Sequence, residues 1–314
     1  MKGVVLFLLL FILAAPITFG AGINNSEAVE IGGIKQWIKF QGVDDQAPVL
    51  LFLHGGPGNS VISYADRFTK ELQKHFIVVL WDQRESGQTA VLNKSPDALS
   101  VSIFVSDAIE VIKFLCARFR QEKIYLVGHS WGGYLGLRVV AERPELLKGY
   151  FAVSPMINQL ESERLSLKVL QEKAAKENNQ KELSELSQVE VPFKNGVQLY
   201  YHRKWLSKLM NSTTPIREKV DQWSVTWLTL FNEASQTNFF EFAPALKCPV
   251  YFLIGSNDYQ THFKLAESYY QQVVCQEKKL SWFKHSAHNP HLTETAKFEE
   301  LLIEIKNQKL KSEL

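Results

Sequence analysis

A glycine-rich segment near the middle of the chain contains the residue whose surroundings point most directly to chemistry. The segment reads Gly-His-Ser-Trp-Gly-Gly over 128–133, directly after a short apolar run (124–127) and directly before a helical pattern. A Gly-x-Ser-x-Gly turn between a strand and a helix exposes the serine hydroxyl in a strained conformation, and glycines are needed where any Cβ would clash. A plain glycine-rich helix start is the alternative, but it does not explain a serine at the turn. The pattern predicts Ser130 as a nucleophile for hydrolysis.

A serine nucleophile needs a histidine base and an acid that orients this base. In folds with this turn the chain order is serine, acid, histidine. Three histidines lie near the C-terminus: His285, His288 and His291. His285 lies too close to the end of the last predicted strand and His291 lies at the start of the next helix, so we predict His288 as the base.

The acid should follow the preceding predicted strand, which covers 250–254. Asp258 is the first carboxylate after this strand and lies in a turn. Its expected role is to hold the imidazole tautomer of the histidine and to stabilise the imidazolium. The alternative is a structural one, because aspartate in a turn often caps the N-terminus of a helix.

A second glycine-rich segment follows the apolar run 49–53 and reads His-Gly-Gly-Pro-Gly over 54–58. Acyl transfer needs backbone N–H groups that face the developing oxyanion. We predict an oxyanion hole from the N–H of Trp131, at the positive end of its helix, and that of Gly55 or Gly56. The sequence does not distinguish the two glycines, and an ordinary tight turn is the alternative.

The segments that position these residues alternate between two patterns. Short runs rich in Val, Ile and aromatic residues are typical of strands buried on both faces, and amphipathic segments of helical length lie between them. The predicted strands are a hairpin within 29–40 and the runs 49–53, 76–80, 124–127, 150–153, 250–254 and 280–283. The predicted helices are 60–74, 100–120, 131–143, 263–274 and 293–306. This alternation predicts an α/β fold with a mostly parallel sheet and right-handed crossovers.

One long stretch breaks the alternation. Residues 156–245 contain no convincing buried strand, only polar and aromatic helical sequence. We predict a helical cap over 156–245, inserted into a core formed by 23–155 and 246–314.

Three segments resemble the proline iminopeptidase branch of the α/β-hydrolase superfamily. They are His-Gly-Gly-Pro-Gly at 54–58, Trp-Asp-Gln-Arg at 81–84 and Gly-His-Ser-Trp-Gly-Gly at 128–133. The resemblance covers about 31–154 and 249–314. It implies an α/β-hydrolase fold with a helical cap, and an aminopeptidase whose cap carboxylates hold the free amino group of the substrate.

In that family one of these carboxylates directly follows the second tryptophan of a cap helix. Trp223 and Trp227 occur in a similar place here, but Leu228 follows them. The two tryptophans share a helix face, which predicts either packing within the cap or contact with the substrate. If an ammonium site exists, Glu233 and Glu241 are the nearest carboxylates in sequence, with an exposed surface position as the alternative for each.

The N-terminus has the layout of a signal peptide. Met1 and Lys2 precede an apolar run (4–15), and small residues follow at 20–22. The run is shorter than the roughly 20 residues that a membrane-spanning helix needs. We therefore predict a signal peptide over 1–22, export, and no stable membrane span after cleavage, with an uncleaved anchor as the alternative.

Composition excludes several partners. The net charge is only +2 and no basic stripe with interleaved aromatics is present, which argues against nucleic acid. No cysteine lies beside a histidine or second cysteine at metal-ligand spacing, so we expect neither metal nor cofactor. Cys248 and Cys275 each precede a predicted strand, and export would permit a disulfide between them; two reduced thiols are the alternative.

Together these observations predict an exported serine hydrolase that cleaves an ester or amide bond of a small molecule or short peptide. An acyl-enzyme would form on Ser130, and the family resemblance adds an aminopeptidase as a possible subtype. The alternative from another class is a non-catalytic protein that uses the same fold to bind a ligand.

Overall fold

The computed structural model describes residues 21–313, with side chains described up to residue 309. The strands are β1 (Ile23–Ile31), β2 (Ile34–Gly42), β3 (Val49–Leu53), β4 (Ile77–Asp82), β5 (Ile124–His129), β6 (Leu147–Val153), β7 (Ala245–Leu246), β8 (Val250–Gly255), β9 (Val274–Cys275) and β10 (Lys278–Phe283). The helices are α1 (Asp66–Thr69), α2 (Gly87–Leu92), α3 (Val101–Phe119), α4 (Trp131–Glu142), α5 (Gln159–Lys176), α6 (Gln180–Leu186), α7 (Gly196–Leu209), α8 (Arg217–Ser235), α9 (Phe239–Phe242), α10 (Phe263–Gln272), α11 (Pro290–Thr293) and α12 (Thr295–Glu313). Two 3₁₀ turns cover Leu72–Lys74 and Pro144–Leu146.

Eight strands form one sheet in the order β1-β2-β4-β3-β5-β6-β8-β10. The β1–β2 and β2–β4 pairs are antiparallel, and all pairs from β4 to β10 are parallel. Every residue of β3, β4, β5 and β8 is buried, because helices cover both faces of the sheet. This arrangement confirms the predicted α/β fold with its mostly parallel sheet.

The prediction of one continuous helix over 60–74 was wrong. Only Asp66–Thr69 is α-helical, and a 3₁₀ turn follows at Leu72–Lys74. The N–H of Glu71 donates to Glu299 Oε1 of α12 at 2.9 Å, so it is not available to a carbonyl of the preceding turn. A contact between residues 228 positions apart thus ends the helix, and local periodicity could not reveal it.

The stretch predicted as a helical insertion contains α5 to α9. Four of these helices begin at an asparagine whose side chain accepts a backbone N–H of the first turn; these caps are Asn158, Asn179, Asn195 and Asn238. Such caps satisfy one of the donors that lack a partner at a helix start. The sequence therefore marks where these helices begin, although it does not determine which of their faces meets the sheet.

The predicted disulfide is not formed. Cys248 and Cys275 are free thiols, and Cys275 Sγ donates to the carbonyl oxygen of Cys248 at 3.0 Å. Burial raises the pKa of the Cys248 thiol to about 12, with a smaller contribution from Cys275. This thiol is therefore protonated at neutral pH, and disulfide formation requires the thiolate.

Among the helices within residues 21–313, none is both long and apolar enough to cross a bilayer. The predicted signal peptide lies almost wholly outside the described residues.

Candidate active site

The turn between β5 and α4 holds Ser130 in a strained backbone conformation. Its φ is 57° and its ψ is −113°, a region that L-residues rarely occupy. A Cβ on Gly128 would lie 2.2 Å from the carbonyl oxygen of Gly132, and one on Gly132 would lie 2.0 Å from a carbonyl oxygen of β3. Both positions therefore require glycine, for the steric reason expected of this motif.

Three predicted site residues are brought together by three separate segments. Ser130 lies at the end of β5, Asp258 lies in the turn after β8, and His288 lies in the loop after β10. His288 Nε2 is 3.0 Å from Ser130 Oγ, and His288 Nδ1 is 3.0 Å from Asp258 Oδ2. All three side chains are buried, so solvent competes little for these hydrogen bonds.

The two neighbouring histidines make other contacts. His285 is exposed, and its backbone N–H donates to Glu294 Oε2 at 3.0 Å. His291 is buried, with its ring 4.9 Å from that of Phe68 and 4.5 Å from that of His129. Neither hydrogen-bonds to the serine, which leaves His288 as the partner that loop position alone had suggested.

The carboxylate of Asp258 has several donors. Oδ1 accepts the N–H groups of Gln260 and Thr261 at 2.9 and 3.1 Å, and Oδ2 accepts the Thr261 hydroxyl at 2.8 Å. Burial alone would raise the pKa of Asp258, but the attraction of His288 and these hydrogen bonds outweigh it and lower the pKa well below its ordinary value. Asp258 is thus a charged acceptor for His288 and also a cap for its own turn. Thr261 was not among the residues predicted from the sequence, where its only signal is its position three residues after an aspartate in a turn.

Two more buried histidines support the site. His129 Nε2 donates to the carbonyl oxygen of His288 at 2.8 Å and so ties the loop of His288 to the end of β5. His54 Nδ1 donates to the carbonyl oxygen of Gly55 at 2.9 Å, because its other nitrogen accepts the N–H of Gln83. Burial lowers the pKa of His54 to about 4 and that of His129 to about 3. Both rings are therefore neutral at physiological pH.

These neutral histidines predict a loss of stability in mild acid. The unfolded chain binds protons at His54 and His129 below the ordinary histidine pKa of about 6.5, whereas the folded protein does not. The free energy of unfolding should therefore decrease as pH falls from about 6.5 to about 5, by about 2 kcal/mol for each histidine. Urea unfolding at these pH values measures the change. Equal stability at both pH values would contradict it, and replacing exposed His285 by glutamine should leave the change intact.

The predicted oxyanion-hole residues lie around the serine. Trp131 is the first residue of α4, so its N–H has no partner within the helix. A Cβ on Gly55 would lie 3.4 Å from Ser130 Cβ, and Gly56 has a φ of 118° that favours glycine. Gly55 and Gly56 both line the cavity above Ser130, so the choice between them stays open.

A cavity of about 910 Å³ opens above the serine. Its floor includes Ser130 and His288, and its walls come from α5, α7, α8 and the loop between α7 and α8. Trp223 lines this cavity, and its Nε1 donates to the carbonyl oxygen of Pro57 at 2.8 Å. Trp223 therefore links α8 to the glycine-rich turn at 54–58.

Two predicted substrate-binding residues do not reach the cavity. Trp227 is buried next to Gly58, where a Cβ would lie 2.5 Å from the indole, and its ring packs against Phe104. Glu233 accepts the N–H of Val101 at 3.2 Å and so caps the start of α3. Helix α8 turns both side chains towards α3 rather than towards the cavity. Glu241, the other carboxylate considered, bonds to Asn238 at 2.8 Å and does not line the cavity.

Metal-ligating residue types do not cluster in the described part of the chain. No group of three or more His, Cys, Asp or Glu side chains within it is arranged to hold a metal ion.

The sheet order, the serine at the turn after β5 and the hydrogen-bonded histidine and aspartate define the α/β-hydrolase class of protein. Residues 44–296 match the hydrolase family described as serine aminopeptidase, S33. The chain therefore belongs to this family.

Several known proteins are similar to this chain. A probable aminopeptidase, YbaC, of Bacillus subtilis (strain 168) is 33% identical over 296 residues, which cover 86% of this chain and 92% of that protein. A proline iminopeptidase of Clostridium botulinum is 31% identical over 108 residues, about a third of each chain. The crystal structure of the proline iminopeptidase of Mycobacterium smegmatis superposes with a TM-score of 0.63 and 17% identity, covering 91% of this chain and 98% of that one. At this identity the structural likeness supports the fold alone.

Proposed function

We propose that the protein is a serine hydrolase that cleaves an ester or amide bond through an acyl-enzyme on Ser130. The observation that carries the proposal is the continuous hydrogen-bonded series from Ser130 Oγ through His288 to Asp258, with 3.0 Å at each step. Membership of a hydrolase family supports it.

The reaction follows from these contacts. Ser130 Oγ attacks the carbonyl carbon of the substrate while His288 Nε2 takes its proton, and Asp258 stabilises the resulting imidazolium. The N–H of Trp131 and one glycine N–H of the 54–58 turn stabilise the oxyanion. The imidazolium then protonates the leaving group. A water molecule, deprotonated by His288, attacks the acyl-enzyme, and the proton returns to Ser130.

The cavity lining favours substrates without a free amino group. Burying an ammonium costs several kcal/mol unless a carboxylate meets it. Within residues 21–313 no Asp or Glu lines the cavity, whereas Arg203 and Lys219 do. We therefore propose a small ester, amide or short peptide whose amino group is absent or blocked, rather than the free-amine substrate that the names of the relatives indicate.

Paired reporter substrates test this specificity. N-acetylprolyl and prolyl arylamides, together with a butyrate ester, are compared at matched concentrations with the Ser130→Ala variant as the blank. We expect kcat/KM for the blocked amide and the ester to equal or exceed that for the free-amine amide. A preference of tenfold or more for the free-amine amide would contradict this specificity and support an aminopeptidase.

We also propose that the protein is exported. The support is the sequence of residues 1–22, with its positive start, apolar run and small residues. Expression with the complete N-terminus, followed by N-terminal sequencing of the extracytoplasmic fraction, should give a chain that starts at Ala21 or Ile23. A full-length chain that stays in the cytoplasm would contradict export.

A further inference from the structure

A buried polar cluster lies in the cavity wall and takes no part in the proposed chemistry. Its centre is Glu163 on α5, which is 1% exposed. Glu163 accepts Gln159 Nε2 at 2.7 Å and both terminal nitrogens of Arg203, with Nη1 at 2.6 Å. Burial raises the pKa of Glu163, but Arg203 more than offsets this and lowers it. Gln159 and Arg203, but not Glu163, line the cavity.

The amide of Gln159 has one unsatisfied atom. Its Nε2 donates to Glu163 Oε1 and to the carbonyl oxygen of Gln260, at 2.7 and 2.8 Å. These two acceptors fix the amide orientation, because Oε1 in place of Nε2 would face two oxygens. Gln159 Oε1 is buried and has no hydrogen-bond partner, although the side chain lines the cavity. A buried acceptor without a donor is costly, so binding a group that donates to this oxygen would be favourable.

The guanidinium of Arg203 has donors that no described residue uses. Nη1 contacts Glu163 Oε2 and His202 Nδ1, and Nη2 uses one hydrogen for Glu163 Oε1. The Nε hydrogen and the second Nη2 hydrogen bond to no group among the described residues. The rings of Phe193 and Phe231 lie 5.4 and 6.0 Å from the guanidinium carbon and restrict its position.

Gln159 and Arg203 lie side by side near the loop that holds Asp258. Gln159 Nε2 and Arg203 Nη2 both donate to the same oxygen, Glu163 Oε1, so the two side chains are adjacent. Gln260, whose carbonyl oxygen binds Gln159, is followed by Thr261, which donates to Asp258 Oδ2. The cluster is therefore tied to the same loop that holds the acid.

We propose that Gln159 and Arg203 form a specificity subsite for a secondary amide group of the substrate. The amide N–H donates to Gln159 Oε1, and the amide carbonyl accepts from the free edge of Arg203. This inference rests on the proposed hydrolase function and specifies its substrate class as N-acylated amino-acid esters or amides, or short peptides.

The charges of the cluster favour a neutral group over either ion. An ammonium could donate to Gln159 Oε1 but would face the cation of Arg203, since the charge of Glu163 is already matched by that cation. A carboxylate could accept from Arg203 but would face the lone pairs of Gln159 Oε1. A secondary amide satisfies both side chains without burying a net charge.

Matched esters test the subsite. Ethyl esters of N-acetylglycine, N-acetyl-β-alanine and N-acetyl-4-aminobutyrate are compared with their N-methyl derivatives, which lack the N–H, and with the free-amine esters. Hydrolysis is followed by acid release. For at least one length we expect N-methylation to lower kcat/KM about tenfold, the effect of a lost buried hydrogen bond.

Two variants separate hydrogen bonding from bulk. Gln159→Met keeps the side-chain volume but removes the acceptor, so the N-methyl penalty should fall to within about twofold. Gln260→Met makes the same change elsewhere in the cavity and keeps its backbone carbonyl, so the penalty should persist. Three results would each overturn the proposed subsite. The N-methyl penalty could persist in Gln159→Met, it could be absent in the wild type at every length, or the enzyme could prefer the free-amine esters.

The design distinguishes the subsite from the hydrolase function itself. Ser130-dependent hydrolysis without an N-methyl effect refutes the subsite alone. Equal hydrolysis by the wild type and Ser130→Ala refutes the hydrolase function. Protection of Ser130 from a neutral fluorophosphonate by each ester reports occupancy of the site, by the ester or by its acyl-enzyme. Equal protection by the N–H esters and their N-methyl derivatives also refutes the subsite.

Discussion

Replacing Ser130 by alanine is expected to abolish labelling by a fluorophosphonate probe and to lower turnover roughly 10⁶-fold, as loss of the nucleophile does in serine hydrolases. The probe reacts with a serine oxygen whose proton a neighbouring base can take, and in the described residues His288 Nε2 lies 3.0 Å from Ser130 Oγ. Alanine removes that oxygen. It has the same Cβ as serine, so the strained turn at a φ of 57° gains no new clash.

Gel detection of the labelled protein, with thermal unfolding as a check on the fold, measures this effect. Ser212 also lines the cavity but makes no contact with His288, so Ser212→Ala is the matched control and should be labelled at the wild-type rate. Undiminished labelling of a folded Ser130→Ala variant would remove Ser130 from the mechanism. It would also favour a ligand-binding role for the cavity.

Replacing Asp258 by asparagine should lower kcat about 10⁴-fold, since this change leaves a triad in place but favours the wrong imidazole tautomer. Asp258 Oδ2 accepts from His288 Nδ1, which leaves Nε2 free to take the serine proton. The side-chain amide of the introduced asparagine can instead donate to Nδ1, and Nε2 then carries the hydrogen. The backbone donors at Gln260 and Thr261 still have one oxygen to bind, so the turn should persist.

Steady-state kinetics on a hydrolysed ester, at several pH values, measure the loss. Asp221→Asn provides the control. Asp221 is a half-buried acid that bonds to Arg217 on the same helix, so its replacement should leave kcat unchanged. Near-normal activity of the Asp258→Asn variant would mean that the acid lies elsewhere.

The sequence predicted the sheet because buried strands have a local signature. Continuous apolar runs such as 49–53 and 250–254 can be buried on both faces only in the middle of a sheet, and both are strands there. The predicted helix over 60–74 failed for the opposite reason. Its interruption depends on Glu299, a residue far away in the chain.

The sequence by itself determined the residues that must hold a special backbone shape and the order in which the site is assembled. The glycines around Ser130 follow from steric limits on a single turn. The carboxylate and the histidine each follow a later strand, and they meet the serine because parallel strands end at a common edge of the sheet. These constraints act within a few residues, so a single chain reveals them.

Only the tertiary structure decided which faces of the inserted helices meet the cavity. It places Trp223 at the cavity but turns Trp227 and Glu233 towards α3, although all three lie on one helix. It also joins Arg203 to Glu163, which is 40 residues earlier in the sequence, and through Glu163 to Gln159. Helical periodicity gives the direction of a side chain relative to its own helix, but the rotation of that helix is set by long-range packing.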